Sequence, residues 1–189
     1  ALKAAGVAAP IVVGGKDWVH PYFMYIGLAS SVLGPEGFAE VREGTRQLTD
    51  PEVVAAVQLL LDLVPYYNQG FEATDYTTAK AIFANGQGAM MVAGTADFTG
   101  YREVNPDADL SFIAWPGPEA GKRATTTGFE LLYTASAFSP PEKQEAAAQF
   151  ANWLATVDAQ QLVIDKIALS VHKDVTESTD PIREQTVVA

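Results

Sequence analysis

Asp97 and Glu130 are the two residues of this sequence whose side-chain types suggest acid–base chemistry. Two carboxyl groups, one of them protonated, flank the bond that a glycosidase cleaves. The separation of Asp97 and Glu130 along the chain neither supports nor excludes such a pair, because catalysis depends on their distance in the folded protein. The alternative for Glu130 is a polar residue on the exposed face of a strand, so both roles stay open.

Other catalytic and metal-binding motifs fail on their spacing. GPEAGKR, residues 117–123, has three residues between its glycines, where a phosphate-binding loop has four. NPDAD, residues 105–109, is similar to the start of a calcium loop, but Leu110 replaces the required glycine. His20 and His172 lack the spacing of a zinc hydrolase, and the chain has no Cys. We therefore expect no metal, no cofactor and no catalytic residue of these classes.

Four aromatic residues lie beside a glycine, a proline or a predicted strand end: Trp18, Phe98, Trp115 and Phe129. Aromatic rings pack against the C–H faces of sugars, while neighbouring amides and carboxylates bind the hydroxyl groups. The alternative is that these rings belong to the hydrophobic core. The residue types allow a small-molecule site without deciding between the two interpretations.

Composition limits the classes of partner. The chain has 189 residues, enough for one domain or one and a half, and 48% of them are hydrophobic. Its net charge of -11 argues against nucleic-acid binding, which needs a basic face to neutralise phosphates. No apolar run approaches the roughly 18 residues that a membrane-spanning helix requires.

The apolar pattern predicts an α/β chain in which strands alternate with helices. The clearest helix follows Asp50 as N-cap, with Pro51 at its first position and Glu52 near the positive end of its dipole. The other predicted elements are helices at residues 21–33, 76–84, 140–157 and 159–167, strands at 7–15, 89–93, 110–115 and 128–136, and a loop at 34–48.

Local signals predict where these elements begin and end. Ser139 with Glu142 has the spacing of a capping box, and Asp158 is the expected N-cap of the last helix. Asn85-Gly86 is expected to close the helix before the strand at 89–93. ALKAAG reaches the terminating Gly6 after five residues, so we expect the chain to begin inside a longer helix.

Five segments, in this order, resemble those of an extracellular solute-binding protein of the carbohydrate-binding kind, the receptor component of an ABC importer. They are LKAAGVAAPIVV, LTDPEVVAAVQLLLDLV, AKAIFANGQGAMMVAGT, WPGPEAGKRATTTGFELLYTASAFSPPEKQEAAAQFANWLAT and ALSVHKDV. The third, a helix ending in G-x-G-A-M followed by a strand and a glycine, is the most recognisable. Each segment is degenerate alone, but their shared order along nearly the whole chain is specific.

The resemblance implies an α/β fold, a lobe like that of a type II periplasmic binding protein, in a partial chain that lacks most of the first lobe. Residues 1–126 would form the second lobe, residues 127–170 a crossover strand and helices belonging to the first lobe, and residues 171–189 the return crossing. In such proteins the ligand is held in the cleft between two lobes, and function depends on hinge closure around it. Because closure needs both lobes, we expect these 189 residues alone to bind weakly or not at all.

The resemblance also implies a set of ligand-binding residues. Three rings would stack on or flank the sugar, two carboxylates would accept its hydroxyl groups, and one glycine backbone would allow close approach. One departure concerns the family's G-x-W after the strand, since Gly94-Thr95-Ala96 places Ala96 at the position of the Trp platform. The candidate ligand-binding residues are Trp18, Asp97, Phe98, Gly128, Phe129 and Glu130.

The implied function is a non-catalytic, monomeric receptor that captures a sugar outside the cytoplasm, in a periplasmic or lipid-anchored parent protein. Its partners would be the carbohydrate and the membrane permease of an ABC importer. The alternatives are a glycoside-processing enzyme that uses Glu130 and Asp97, a receptor for a solute other than a sugar, and an α/β interaction domain whose aromatic residues are all core.

Overall fold

A computed structural model of the chain describes residues 1–116, 123–124, 133–167 and 169–180. They divide between two units, Ala1–Thr126 and Thr127–Ala189. The assignment of residues 1–126, 127–170 and 171–189 to particular lobes and crossings stays a prediction.

A short parallel sheet organises the first unit. Strand β1 (Ile11–Val12) pairs with β2 (Met90–Met91) in parallel, and Ile11 also forms a parallel bridge with Tyr67, so β1 is the central strand. Both strands lie within the predicted spans but are shorter. Pro10, which has no backbone N–H to donate, precedes β1, and Gly14 follows it closely.

A hydrophobic core cluster of this unit lies against the parallel sheet. Val12 and Ala79 are completely buried in it, and Ala9 is 5% exposed. The partly buried Ile82, Phe83 and Met91 pack against these three residues. Helix α3 (Tyr76–Ala84) supplies Ala79 and its neighbours, so it covers one face of the parallel pair. Its bounds match the prediction, and Gly86 follows its end with a φ of 70°, in the left-handed region that favours glycine.

Helix α1 (Val19–Glu43) contradicts the predicted loop at residues 34–48. Gly34 has φ 71° and ψ 174°, values that break the helix at the predicted place. Pro35 then starts a second helical segment, because proline is favoured at a first helical position. This segment ends at Gly44, which has a φ of 76°. The Gly34-Pro35 pair therefore marks a kink between two helices rather than the start of a loop.

Helix α2 (Pro51–Asp62) begins where predicted and packs against α1. Asp50 occupies the N-cap position, but its carboxylate accepts a hydrogen bond from the Gln47 backbone instead of the helix. Arg46 bridges the two helices by donating to Glu40 at the end of α1 and to Glu52 in the first turn of α2. Two single 3-10 turns follow, at Val64–Tyr66 and Phe71–Ala73.

The sequence did not predict helix α4 (Asp97–Val104). This helix has only eight residues, is polar on average and contains Gly100, a residue of low helix propensity, so its sequence gives a weak helix signal. The predicted strand at 110–115 is wrong for residues 110–114, which are irregular. Only its last residue belongs to β3 (Trp115–Pro116), which pairs antiparallel with β4 (Arg123–Ala124).

The second unit contains helices α5 (Pro141–Leu154) and α6 (Val157–Lys166). The predicted capping box at Ser139 is wrong, because the Pro140 carbonyl accepts the first helical bond and Ser139 lies one residue outside. Asp158 is also not the N-cap of α6. The Thr156 hydroxyl fills that role by accepting a hydrogen bond from the Ala159 N–H.

The predicted strand at 128–136 falls partly outside the described residues. Residues 133–136 are irregular rather than extended in a sheet. Nearby, Tyr133 packs edge-on against Phe150, whose ring stacks with Trp153 at 5.8 Å. These rings are largely exposed, and no residue of α5 is buried. The buried positions of this unit are instead on α6 and after it, at Ala159, Gln160, Ile164, Val175 and Asp180.

Candidate functional site

The carboxyl ends of β1 and β2 meet at one edge of the parallel sheet. We call residues 13–18, which follow β1, the β1 loop, and residues 92–97, which follow β2, the β2 loop. In open α/β sheets, ligands bind outside the carboxyl ends of the strands. This edge is therefore the candidate functional site of the first unit.

The backbone of the β1 loop is held from several sides. Val13 donates its N–H to Asn68 Oδ1 at 2.7 Å, Gly15 to the Phe71 carbonyl at 2.8 Å, and Lys16 to the Thr74 carbonyl at 3.1 Å. An ideal Cβ on Gly15 would lie 2.8 Å from the Phe71 ring. Glycine is needed at this position because the β1 loop lies directly against Phe71, and a side chain would have no room.

His20 is hydrogen-bonded to the backbone of the β1 loop. Its Nδ1 accepts the Gly14 N–H at 2.7 Å, so the neutral ring carries its proton on Nε2. Burial lowers the pKa of His20 to about 4, although the nearby carboxylates of Asp97 and Asp17 favour the charged form. The side chain is 1% exposed, and Nε2 has no hydrogen-bond partner among the described residues. His20 is a neutral, structural histidine at neutral pH.

Asp97 is the centre of a polar cluster at the β2 loop. Its Oδ2 accepts the Gly94 N–H at 2.9 Å, which closes the loop on itself. Its Oδ1 accepts the Tyr76 hydroxyl and pairs with Lys80 Nζ at 3.3 Å. At 7% exposure, Asp97 uses both carboxylate oxygens on groups of the protein itself.

Helix α3 provides the partners of this cluster. Tyr76 and Lys80 lie one turn apart, and the Lys80 ammonium lies 5.3 Å from the centre of the Tyr76 ring and 6.0 Å from that of Tyr101. Tyr101 is buried, which raises the pKa of its hydroxyl, and within the described part of the chain that hydroxyl has no hydrogen-bond partner. The cluster therefore keeps its charges paired in a largely dry environment.

Trp18 is the most exposed ring at this edge. It follows the two glycines of the β1 loop, is 69% exposed and contacts Tyr22 edge-on at 5.5 Å. Tyr22 is also exposed, so the start of α1 presents two neighbouring aromatic side chains to solvent. This is a surface on which a flat apolar face of a ligand can pack.

The remaining predicted site residues are placed differently. Phe98 is 6% exposed and belongs to the first turn of α4, while Ala96, at the position of the expected Trp, is exposed. Gly128, Phe129 and Glu130 lie outside the described residues. Asp97, at the end of the β2 loop, and Phe98 thus begin α4, and Trp18 lies at the end of the β1 loop, which follows the neighbouring strand.

Sequence reasoning missed Tyr76, Lys80, His20 and Asp17, which hold the two loops. Tyr76 is far from both loops in sequence, and no spacing rule connects it with Asp17 or Asp97. The available signal was the Gly14-Gly15 pair, since adjacent glycines after a strand indicate close backbone approach. The glycine pair does not indicate which residues approach the β1 loop.

A second concave feature of the first unit is entirely apolar. It has a volume of about 180 Å³ and is lined by residues including Val13, Pro21, Met24, Leu61 and Phe71. A ligand site normally adds a few polar groups that fix orientation. This cavity offers none, so it is not the candidate site.

Among the residues that the structure describes, no group of three or more His, Asp or Glu side chains is placed to hold a metal ion. Within the same part of the chain, no helix combines the length and apolar character needed to cross a membrane.

The α/β architecture, with its polar loops at the carboxyl edge of the sheet, is that of a solute-binding lobe. The chain belongs to the family described as bacterial extracellular solute-binding protein, whose sequence profile matches residues 15–182. No curated protein sequence matches the chain significantly. The predicted family and its α/β fold are confirmed.

Solved structures with the same fold include a chitin oligosaccharide binding protein, with a TM-score of 0.76 and 20% identity over 98% of this chain. A sugar transporter from Bacillus licheniformis in complex with stachyose has a TM-score of 0.60 and 17% identity over 90% of this chain. SBP RafE in complex with raffinose has a TM-score of 0.59 and 18% identity over 91%. The present chain spans 48%, 46% and 47% of the lengths of these three chains.

Proposed function

We propose that the chain is part of a receptor that binds a carbohydrate outside the cytoplasm and delivers it to the membrane permease of an ABC importer. Membership of an extracellular solute-binding family supports the receptor role. The names of three solved proteins with the same fold, which refer to chitin oligosaccharide, stachyose and raffinose, support a carbohydrate as the ligand. The receptor would act as a monomer, either free in the periplasm or lipid-anchored.

The exposure of Trp18 carries this proposal. An indole ring that is 69% exposed loses the stabilisation that burial would give it. Its place on the β1 loop, beside the carboxyl edge of the sheet, is where ligands of α/β folds bind. Trp18, with Tyr22 beside it, is the proposed stacking platform, which would compensate for Ala96 at the usual Trp position.

The other predicted residues enter the proposal with different support. Phe98 is buried in the first turn of α4, and Asp97 fixes the β2 loop through Gly94. A sugar hydroxyl could reach Asp97 only by sharing oxygens that already accept protein groups. Gly128, Phe129 and Glu130 are proposed as ligand contacts on the family resemblance alone.

The decisive experiment uses the three tryptophans as separate reporters. In a ¹⁵N-labelled sample, the indole N–H signals of Trp18, Trp115 and Trp153 are followed while a short chitin oligosaccharide, raffinose or stachyose is added. We expect at least one sugar to shift the Trp18 signal in a saturable manner. The affinity should be weak, with a dissociation constant of about 1 mM, because hinge closure needs two lobes.

Matched variants assign the effect to the ring. Trp18→Ala, followed through the backbone amide signals of the β1 loop in the same ¹⁵N spectra, should weaken binding about tenfold, the loss expected for one stacking platform. Trp153→Ala removes another exposed tryptophan, on the second unit, and should leave the affinity unchanged. If none of the three sugars shifts Trp18 at its solubility limit, or if only Trp153 responds, the proposed site is wrong. Tight binding by the chain alone would contradict the closure requirement.

The glycoside-processing alternative has no observation in its favour. It requires Asp97 to exchange protons with substrate, whereas both Asp97 oxygens hold groups of the protein. We propose that the sugar is released unchanged. Mass spectrometry of each sugar after prolonged incubation with the chain checks this, since any hydrolysis product would restore the enzyme hypothesis.

A further inference from the structure

We propose that Tyr76 is a positioning residue that holds both ligand-facing loops against the first turn of α3. The expected effect of Tyr76 on sugar binding rests on the proposed function, whereas its effect on the two loops does not. Tyr76 does not need to touch the sugar. It acts through Asp17, which precedes Trp18 in the β1 loop, and through Asp97, which closes the β2 loop.

The first link uses the Tyr76 backbone. Its N–H donates to Asp17 Oδ2 at 2.8 Å, across 59 residues of sequence. A backbone donor facing a carboxylate makes a charge-assisted hydrogen bond, which is stronger than one between neutral groups. Since Asp17 and Trp18 are adjacent, this bond holds the end of the β1 loop against the start of α3 and thereby positions the backbone of Trp18.

The second link uses the Tyr76 side chain. Its hydroxyl donates to Asp97 Oδ1, while Oδ2 of the same carboxylate holds the Gly94 N–H. Asp97 is buried, so losing one donor would leave part of its charge unsolvated. The Tyr76 hydroxyl thus holds the Asp97 carboxylate in place, and this carboxylate in turn holds the β2 loop through Gly94.

The first turn of α3 is itself well anchored. Asp75 caps the helix by accepting the Thr78 N–H at 2.8 Å, and this bond lowers the pKa of Asp75. Lys80, one turn later, pairs with Asp97 and keeps its charge compensated if the Tyr76 hydroxyl is removed. Tyr76→Phe should therefore loosen the β2 loop without unfolding the helix or expelling the carboxylate.

The two links can be cut separately. Tyr76→Phe removes the hydroxyl bond to Asp97 and keeps the backbone bond to Asp17. Asp17→Ala removes the backbone bond and keeps the hydroxyl bond. Tyr66→Phe is the matched control, since Tyr66 is an exposed tyrosine of the same unit, outside both loops.

The experiment measures amide hydrogen exchange and sugar affinity in the same ¹⁵N-labelled proteins. In Tyr76→Phe the Gly94 amide should exchange about tenfold faster, the effect of one lost hydrogen bond, while the Ala79 amide inside α3 keeps its rate. In Asp17→Ala the Lys16 amide should exchange faster and the Trp18 indole signal should shift without sugar. Tyr66→Phe should change none of these.

Sugar titrations provide the functional readout. Affinity for the sugar that shifts Trp18 should fall several-fold in both variants and stay constant in Tyr66→Phe, at equal folded fractions. Unchanged Gly94 exchange in Tyr76→Phe would overturn the positioning role whatever the sugar does. Faster exchange with unaltered affinity would overturn its relevance to binding. Faster exchange in a chain that binds no sugar would refute the proposed function and leave the loop anchoring supported.

Discussion

Gly88 lies directly against the side chain of Val12. An ideal Cβ on Gly88 would fall 2.1 Å from Val12 Cγ2 and 3.0 Å from the Ala9 carbonyl oxygen. Val12 is completely buried in the central strand, so it has no free space into which to move. The second glycine of the G-x-G-A-M segment is therefore required by packing against β1, whereas the first, Gly86, is required by its positive φ.

Gly88→Ala should lower the free energy of unfolding by about 1–3 kcal/mol, the usual cost of overpacking a core. Gly94→Ala is the control, because its nearest neighbour, Asp97 Oδ2, lies 3.8 Å from the ideal Cβ. Urea unfolding measures both. Adding Val12→Ala to Gly88→Ala should restore part of the loss, so strictly additive effects of the two substitutions would argue against the contact.

The buried histidine predicts a pH dependence of stability. The pKa of His20 is lowered to about 4 in the folded chain, so between pH 6.5 and 4 the unfolded chain binds more protons at this residue. Its stabilising contribution is complete above about pH 6.5 and is lost as the pH falls towards 4, by at most about 1.4 kcal/mol per pH unit.

Comparison of His20→Gln with the parent chain isolates the contribution of His20 from the titration of carboxylates. His20→Gln should give a flatter dependence of the free energy of unfolding on pH than the parent chain. Parallel curves for His20→Gln and the parent would show that His20 titrates alike in both states.

Helix α6 offers a test of which residue caps it. Thr156→Ala should lower the free energy of unfolding of the second unit by about 1 kcal/mol, because the Ala159 N–H loses its acceptor. Asp158→Ala should cost only a few tenths of that, since its carboxylate interacts with the helix dipole and not with an N–H. Circular dichroism during urea unfolding measures both, and the reverse order would support the sequence prediction of Asp158 as the cap.

A fourth prediction concerns Gly27 in α1. An ideal Cβ on Gly27 would lie 2.3 Å from Nε1 of Trp115, so the indole packs directly on the helix backbone. Gly27→Ala should displace the ring, lower the free energy of unfolding by about 1–3 kcal/mol and shift the indole N–H signal of Trp115. The Trp153 signal serves as an internal control. An unmoved Trp115 signal would contradict the packing.

Sequence reasoning succeeded where a boundary depends on neighbouring residues. Asn85-Gly86 ends α3 because Gly86 adopts the left-handed region next to the helix, and Pro51 starts α2 because proline fits its first position. The same local logic failed after Gly34. The helix breaks at this glycine as predicted, but the chain resumes helical geometry at Pro35 instead of forming the loop predicted at residues 34–48.

Two residues of the candidate site were named from the sequence: Trp18 as an aromatic ring near a predicted strand end, and Asp97 as one of two candidate carboxylates and through the family resemblance. Their part in ligand binding stays a prediction. The residues that hold them could not be named, because Tyr76 meets Asp17 and Asp97 only after the chain has brought α3 against both loops. Nor could sequence show that Phe98 is buried, since that depends on how α4 packs.

The strand order of the parallel sheet has a kinetic consequence. Among the described residues, the partners of β1 are Tyr67 and β2, which lie far along the sequence from it. Closing such long loops makes folding slower than in helical bundles, whose contacts are mostly local. On the ribosome, β1 must therefore wait for Tyr67 and then for Met91 to emerge, and the helices in between can form before the parallel pair of strands.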